Sequence, residues 1–520
     1  MPNRSPDELF QLIHTLEKAE KRNFKLFVRR NASSDEMKII QLFDAMERMD
    51  HYDEDLLLRR HPEIRKAQLS NLKAHLYRQI LSSLRIMRDE ENIDIRLHEQ
   101  FDHARILYNK GLYQQSLKVL SRIKELARTY HQITFWLQAL VFEKKIESLH
   151  ITRSFEDRAE QLSREVEELD DRLVVIGRLS NLALQLYGWY IRSGLTRDPA
   201  EERSVTEFFE VQMPAGAALL DGFYERLYYH QCMTWYGFIR QDLLLYYRSC
   251  QRWVDVFRKE PAMLRVEAPQ YIKGMHNLLH AHFMLRNRDR FLECLTEFEA
   301  FHHSDIAQSN ANLRVQSFVY LYIAKINRHF MEGTFTEGLA LVPEIEERIA
   351  SYEQQLDRHR ILVFYYKIAC LYFGSGDQDN TIIYLNRIIH WKADLRADVQ
   401  CYARLLHLIA HYELGNYEIL ESLIKSVYRF MVRMKNLSVV ERAILEFLQR
   451  SFHKDPRKLK PDFEALRDRL LPYEHDAHER RSFMYLDFVS WLESRIREVP
   501  VQEVIRARYL AAERRAGAGH

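Results

Sequence analysis

One local pattern recurs along the chain and constrains what it can fold into. It is an apolar helical stretch, a glycine, an aromatic residue two positions on, and a second helical stretch. The clearest copy is Ala104-Arg-Ile-Leu-Tyr-Asn-Lys-Gly111-Leu-Tyr113-Gln-Gln-Ser116-Leu-Lys-Val-Leu120. The outline returns at Gly333/Phe335/Gly338, Gly376/Gln378/Thr381 and Gly415/Tyr417/Leu420. A copy without the glycine runs through Asp289, Phe291, Cys294 and Phe298, and vaguer copies sit near Ser154, Gly194 and Asp242. The glycine supplies the positive φ that ends the first helix. The aromatic packs back over the turn, and the small residue three further on lets the second helix approach the first. From Gly111 to Gly415 the turn markers lie 39 to 48 residues apart, so each unit is an antiparallel pair of helices of about four to five turns each. One such pair cannot bury its apolar face alone, so pairs must stack.

Composition agrees with an all-α chain. Glycine is 15 and proline 12 of 520 residues, against usual shares of roughly 7% and 5%. That shortage disfavours all-β, doubly wound α/β, collagenous and disordered chains. Capped helix starts recur at Ser5-Pro6-Asp7-Glu8, Ser33/Glu36, Asp198-Pro199/Glu201, Ser204/Glu207, Thr334/Glu337 and Ser438/Glu441. Leu69, Leu72, Leu76, Ile80 and Leu84 form the stripe of a buried helix face, within a long helix expected from about Lys66 to Arg88.

Gly111/Tyr113/Ser116, Gly333/Phe335/Gly338 and Gly415/Tyr417/Leu420, with Ala104 and Ala369 at the small site of the first helix, resemble the tetratricopeptide repeat family and related bacterial helical-repeat proteins. The period here is longer than that family's 34 residues, and its first-helix Trp and terminal Pro are mostly missing. The resemblance implies an all-α, right-handed α-solenoid of antiparallel helix pairs over residues 91–435. An N-terminal helical head or cap would occupy 1–90 and a C-terminal helical cap with a frayed tail 436–520. It also implies a concave surface lined by the first helix of each pair. Carried over by the glycine register, the inward positions are Phe101, Arg105 and Tyr108, then Tyr320, Asn327 and Phe330, then Tyr366 and Phe373, then Tyr402 and Tyr412. Aromatic anchors there would bind a protein or peptide segment, with Arg or Asn fixing its direction. The competing reading is that these rings only pack between units.

Other chemistry is sparse. There is no Walker A loop, no G-x-G-x-x-G and no G-x-S-x-G elbow. The sequence therefore reads as a non-enzymatic scaffold without cofactor. His276 and His280 share a helix face at zinc-compatible spacing, with His282, His302 and His303 nearby, and His407/His411 repeat the spacing. No third ligand is fixed in either place, so no metal site is assigned. His98 and His103 are five apart and fall on different faces, and His475-Asp-Ala-His478 looks like a solvated helix start. Five cysteines without a C-x-x-C pair fit reduced thiols in the cytoplasm. The start of the chain lacks the basic and apolar runs of a secretory leader. The most apolar stretch, Ile361 to Phe373, is interrupted by Lys367 and falls short of a membrane span.

The alternative reading is a nucleic-acid-associated regulator whose basic N-terminal helical head contacts nucleic acid while the repeats sense a ligand, and a third is an enzyme with a metal in the His276 to His303 region. Lys18, Arg22, Lys25 and Arg29 would share one helix face in a basic run that includes Lys21 and Arg30, interleaved with an expected core of Phe24, Leu26, Phe27 and Val28. Against this reading, residues 1–90 hold 17 basic and 15 acidic side chains, and the whole chain is near neutrality at 76 against 74.

Overall fold

A computed structural model describes residues 7–30, 34–87, 92–149, 157–217, 221–352, 355–391, 396–434, 436–451, 453–455, 458–476 and 479–517. The expected features at Ser5-Pro6, Ser33, Ser154 and His478 lie outside the described residues. Among the described residues the chain is all-helical, without a β-strand. It forms two compact units, Met1–Leu169 and Asp170–His520. The expected boundaries near 90 and 435 thus fall inside units.

The first unit holds α1 (Glu8–Thr15), α2 (Lys18–Arg29), α3 (Ser34–Glu47), α4 (Glu54–Arg60), α5 (Lys66–Met87), α6 (Ile93–Asn109), α7 (Tyr113–Thr129) and α8 (Ile133–Leu149). Asp7 caps α1 by accepting from Phe10 N at 3.0 Å. Its apolar core does change near residue 90. Leu9, Phe24, Val28, Phe43, Leu69, Leu76 and Ile80 belong to one cluster, and Leu97, Phe101, Ala104, Leu120 and Ile123 to another. Leu26, expected in the core, is exposed.

The long α9 (Arg158–Ser193) spans the division between the units. The second unit continues with α10 (Pro199–Gln212), α11 (Phe223–Ile239), α12 (Leu243–Lys259), α13 (Met263–Val266), α14 (Ala268–Met284), α15 (Arg288–His302) and α16 (Asp305–Gln308). Then come α17 (Ala311–Glu332), α18 (Phe335–Gly338), α19 (Val342–Ser351), α20 (Arg358–Ser375), α21 (Gln378–Ile389), α22 (Ala397–Glu413) and α23 (Tyr417–Arg433). The chain closes with α24 (Val439–Ser451), α25 (Lys460–Leu470), α26 (Phe488–Arg497) and α27 (Val501–Gly517). Asp198 caps α10 as expected, with Pro199 in its first turn, but Ser204 lies inside that helix and starts nothing.

Among the described residues eight turns share one geometry; two of them, at His131 (φ 52°, Gln132 N to Ala127 O) and Glu498 (φ 56°, Val499 N to Ser494 O), join α7 to α8 and α26 to α27, and the other six are as follows. The residue between paired helices is left-handed at Gly111, Gln241, Arg286, Gly333, Gly376 and Gly415, with φ between 54° and 94°. After each, the next backbone N–H donates to the carbonyl five residues back: Leu112 to Leu107, Asp242 to Gly237, Asn287 to His282, Thr334 to His329, Asp377 to Tyr372 and Asn416 to His411. This closure satisfies the carbonyls that the ending helix leaves open. The aromatic over the turn behaves as expected at three sites. Tyr113 meets Tyr108, Phe335 meets Phe330 and Tyr417 meets Tyr412, with centroids 5.6, 5.3 and 6.2 Å apart. Ser116 donates to Ala104 O at 2.8 Å, fixing the approach of α7 to α6. Gly194 ends α9 and joins no such pair.

In the second unit the paired helices contact their neighbours in order: α11 on α12, α12 on α14, α14 on α15, α15 on α17, α20 on α21, α21 on α22 and α22 on α23. The first helices also touch each other in sequence, α14 with α17, α17 with α20 and α20 with α22. Their apolar side chains form one cluster from Leu179 to Ile505.

Candidate functional site

Counting back from each left-handed turn residue locates the face that the first helices turn toward one another. Positions 13, 10 and 6 before the turn hold Tyr228, Gln231 and Trp235 on α11, and Lys273, His276 and His280 on α14. On α17 position 13 is Tyr320 and position 6 is Asn327, on α20 position 10 is Tyr366, and on α22 position 13 is Tyr402.

Tyr320 lies at the centre of the half-buried part of this face. His276 stacks on its ring at 4.2 Å between centroids. Lys273 Nζ stands 5.5 Å from the same ring, and Arg360, in the first turn of α20, stands 5.8 Å from it. The Lys273 ammonium also lies 5.5 Å from the Trp235 ring and 5.9 Å from that of Tyr187 on α9. Burial pushes the Tyr320 phenol up, but Lys273 and Arg360 outweigh it and bring its pKa below the usual value. Burial, reinforced by Lys273, His280, Lys367 and Arg360, holds His276 well below the ordinary histidine range. His280 drops to about 4 for similar reasons, burial first. Both rings are neutral at pH 7.

Two turns along α17, Lys367 of α20 donates to Asn327 Oδ1 at 2.6 Å and sits 5.3 Å from the Phe330 ring. Desolvation brings its ammonium down to about 8. Lys367 is nonetheless half-buried and reached by solvent, as are Lys273, His276, His280 and Tyr320. The partly exposed Lys273, His276 and Arg360 meet around the Tyr320 ring. On the α22 side, Arg396 forks onto Asp398 at 2.7 and 2.8 Å and meets His359 at 3.2 Å. Burial pushes the Asp398 carboxyl up, but Arg396 and the Tyr485 hydroxyl hold it below the usual range.

The C-terminal segment covers the expected groove at Tyr366 and Tyr402. Tyr485 stacks on Tyr402 at 4.1 Å and 9°, and Tyr366 donates to Tyr485 O at 3.1 Å. Tyr402 donates to Glu441 Oε1 at 2.7 Å, and Ser482 donates to the same oxygen. The segment then runs back over the helix ends. Trp491 and Arg495 bind Glu413 at the end of α22, at 2.8 and 2.9 Å. Arg506 donates to Glu332 O at the end of α17, and Glu513 pairs with Arg288 at the start of α15. Buried apolar residues of the C-terminal segment, from Val440 to Ile505, thus belong to the same core cluster as those of α11 to α23.

The expected groove residues divide accordingly. Tyr108, Phe330, Phe373 and Tyr412 all stand three residues before the turn; Tyr108, Phe330 and Tyr412 meet the aromatic beyond it, and Phe373 is 2% exposed. Phe373, Tyr412, Tyr366 and Tyr402 are buried, so they offer no free ring to a partner. Asn327 is buried and taken by Lys367. In the first unit Phe101 is buried, Arg105 exposed and Tyr108 half-buried. Of the basic run, Lys18, Arg22 and Arg29 are exposed, while Lys25 pairs with Asp44 at 2.7 Å and Glu47 at 3.2 Å. The histidine pairs are committed elsewhere: His280 bonds the Tyr246 hydroxyl at 3.2 Å, His302 the Ser317 hydroxyl at 2.8 Å, and His407 packs on His411. Among the described residues no group of three or more His, Cys, Asp or Glu is placed to hold a metal ion, and no helix is long and apolar enough to cross a membrane.

Lys273, Trp235, Arg360 and Lys367 were not among the expected site residues. The glycine register did not reach the first two, because their turns carry Arg286 and Gln241 in place of glycine. Family models, curated proteins and solved structures yield no match to this chain.

Proposed function

We propose that this chain is a non-enzymatic binding scaffold of the reducing cytoplasm. Its helix pairs stack as a right-handed α-solenoid whose inner face takes a segment of a protein or peptide partner. One observation carries the reading: the inner positions of α20 and α22 already hold a polypeptide segment. Tyr485 is stacked, hydrogen-bonded through its carbonyl and anchored through its hydroxyl there. Aromatic faces with a few fixed polar groups are the usual chemistry of such grooves. The adjoining inner surface on α11, α14 and α17, around half-buried Tyr320, is the part left for a partner.

The test is affinity capture from native lysate with the wild-type chain, the Lys273→Met/Tyr320→Ala variant and the outer-surface variant Tyr428→Ala, each with and without nuclease. A protein retained by wild type and Tyr428→Ala, resistant to nuclease and lost with the inner variant, supports the scaffold. Retention unchanged by the inner variant refutes it. Loss on nuclease treatment moves the function to the basic face of Lys18, Arg22 and Arg29.

A further inference from the structure

The inner face carries more positive charge than its own structure uses. Arg396 has Asp398, and Arg360 has Asp357 at 3.4 Å. Among the described residues no carboxylate lies within ion-pair distance of Lys273 or Lys367. Lys273 is held among the rings of Tyr187, Trp235 and Tyr320 and by the Tyr320 hydroxyl, and Lys367 by the neutral Asn327 amide and the Phe330 ring. A desolvated ammonium facing rings and an amide is under-compensated, because ring faces and neutral dipoles return less than a counter-charge does. The two nearest imidazoles cannot supply one, because an imidazole is either neutral or cationic.

The rings around Lys273 are flat and apolar. Tyr187 is 38% exposed beside Lys273, and Tyr320 is half-buried between Lys273 and Arg360. Side chains from α9, α11, α14, α17 and α20 meet around one ammonium and one phenol. That favours a compact ligand over a chain passing through. A few convergent polar groups set among aromatic side chains is the general chemistry of a small-molecule site.

We propose that Lys273, Arg360 and Tyr320 form a binding site for a small organic anion with a flat apolar body. The anionic group pairs with Lys273 and Arg360, Lys367 adds its field from the next turns of α20, and the flat body lies against Tyr320 and Tyr187. This goes beyond the scaffold reading, which needs no small ligand.

The test is isothermal titration of the full chain with two probes, adenosine monophosphate and indole-3-acetate, against their neutral counterparts adenosine and indole-3-acetamide. An acidic dodecapeptide serves as the competing occupant. The expected result is saturable binding of an anionic probe at least about tenfold tighter than its neutral counterpart. Lys273→Met and Arg360→Met should each weaken it by about tenfold or more, and Lys273→Arg should keep most of it. Circular dichroism and the melting temperature of the unliganded variants serve as the fold control, and Lys273→Arg keeps the test decisive if Lys273→Met fails to fold. Absence of binding by both anionic probes, equal binding of the neutral counterparts, or binding of the acidic peptide alone overturns the site. Capture that still depends on Lys273 and Tyr320 after such a result leaves the scaffold standing and removes only the small-anion site.

Discussion

Gly333 and Gly376 occupy the same turn position but different surroundings, which makes them a controlled pair. Both are left-handed, at φ 69° and 94°. Alanine at either pays the same kind of backbone penalty, roughly 1–2 kcal/mol. At Gly376 an added Cβ meets nothing within 4 Å. At Gly333 it would stand 2.4 Å from Arg506 N, 2.7 Å from Arg506 Cα and 2.9 Å from Gln502 O. These are backbone atoms of α27 and cannot turn aside, so the helix must lift. Lifting breaks the Arg506–Glu332 bond and the two bonds that Thr336 donates to Gln502. At about 1 kcal/mol each, that adds about 3 kcal/mol to the backbone penalty. A local opening of that size raises the undocked population of α27 by roughly 100-fold. Hydrogen exchange of residues 501–514, with tryptic cleavage at Arg497 as a second readout, should therefore accelerate about that much in Gly333→Ala and hardly at all in Gly376→Ala. Equal protection of α27 in the two variants would refute the docking of the C-terminal helix on this turn.

Three further outcomes follow from the same contacts. Glu441 is fully buried and accepts from Tyr402, Ser482 and Ser438; Glu441→Ala strands these donors and should lower stability by about 2–4 kcal/mol, and a urea midpoint unchanged from wild type would contradict the network. Lys367→Met exchanges a desolvated ammonium for an apolar chain of similar length, so the unliganded protein should lose less than about 1 kcal/mol or gain stability; a loss above about 2 kcal/mol would show that its bond to Asn327 holds the fold. His280 and His359 have folded pKa values near 4 because burial disfavours their charged forms. Below the unfolded value of 6.5 the unfolded chain binds the extra protons, so their contribution is complete above pH 6.5 and declines as pH falls toward 4. Melting temperatures that stay constant from pH 7 to pH 5 would contradict this.

Local features were the readable ones. The left-handed glycine, the aromatic beyond it and the small contact residue are all nearest-neighbour devices, and each of the four glycine turns formed where its residues stood. The register counted from those glycines also picked out Tyr320, Asn327, Tyr366 and Tyr402, each of which contacts a neighbouring element. It failed where the turn needs no glycine. Gln241 takes the left-handed conformation with its side-chain amide donating to Thr196 O at 3.0 Å, and Arg286 does so beside the Phe283 ring. The signals that remained there were Asp242, which caps α12, and Phe291, five residues after the turn. The return of the C-terminal segment was not legible, because Tyr485, Trp491 and Arg506 find their partners 78 to 174 residues away. That return turned an expected open groove at Tyr366 and Tyr402 into core, and it left the cationic surface around Tyr320 as the candidate site.

Site-specific photo-crosslinking tests the binding reading most directly. A benzophenone side chain placed at position 320, on the proposed inner face, is compared with one at position 428, where Tyr428 is 44% exposed on α23. The account predicts a discrete covalent adduct from position 320 and none from position 428. Adducts from 428 alone, or equally from both, would contradict an inner-face binding site.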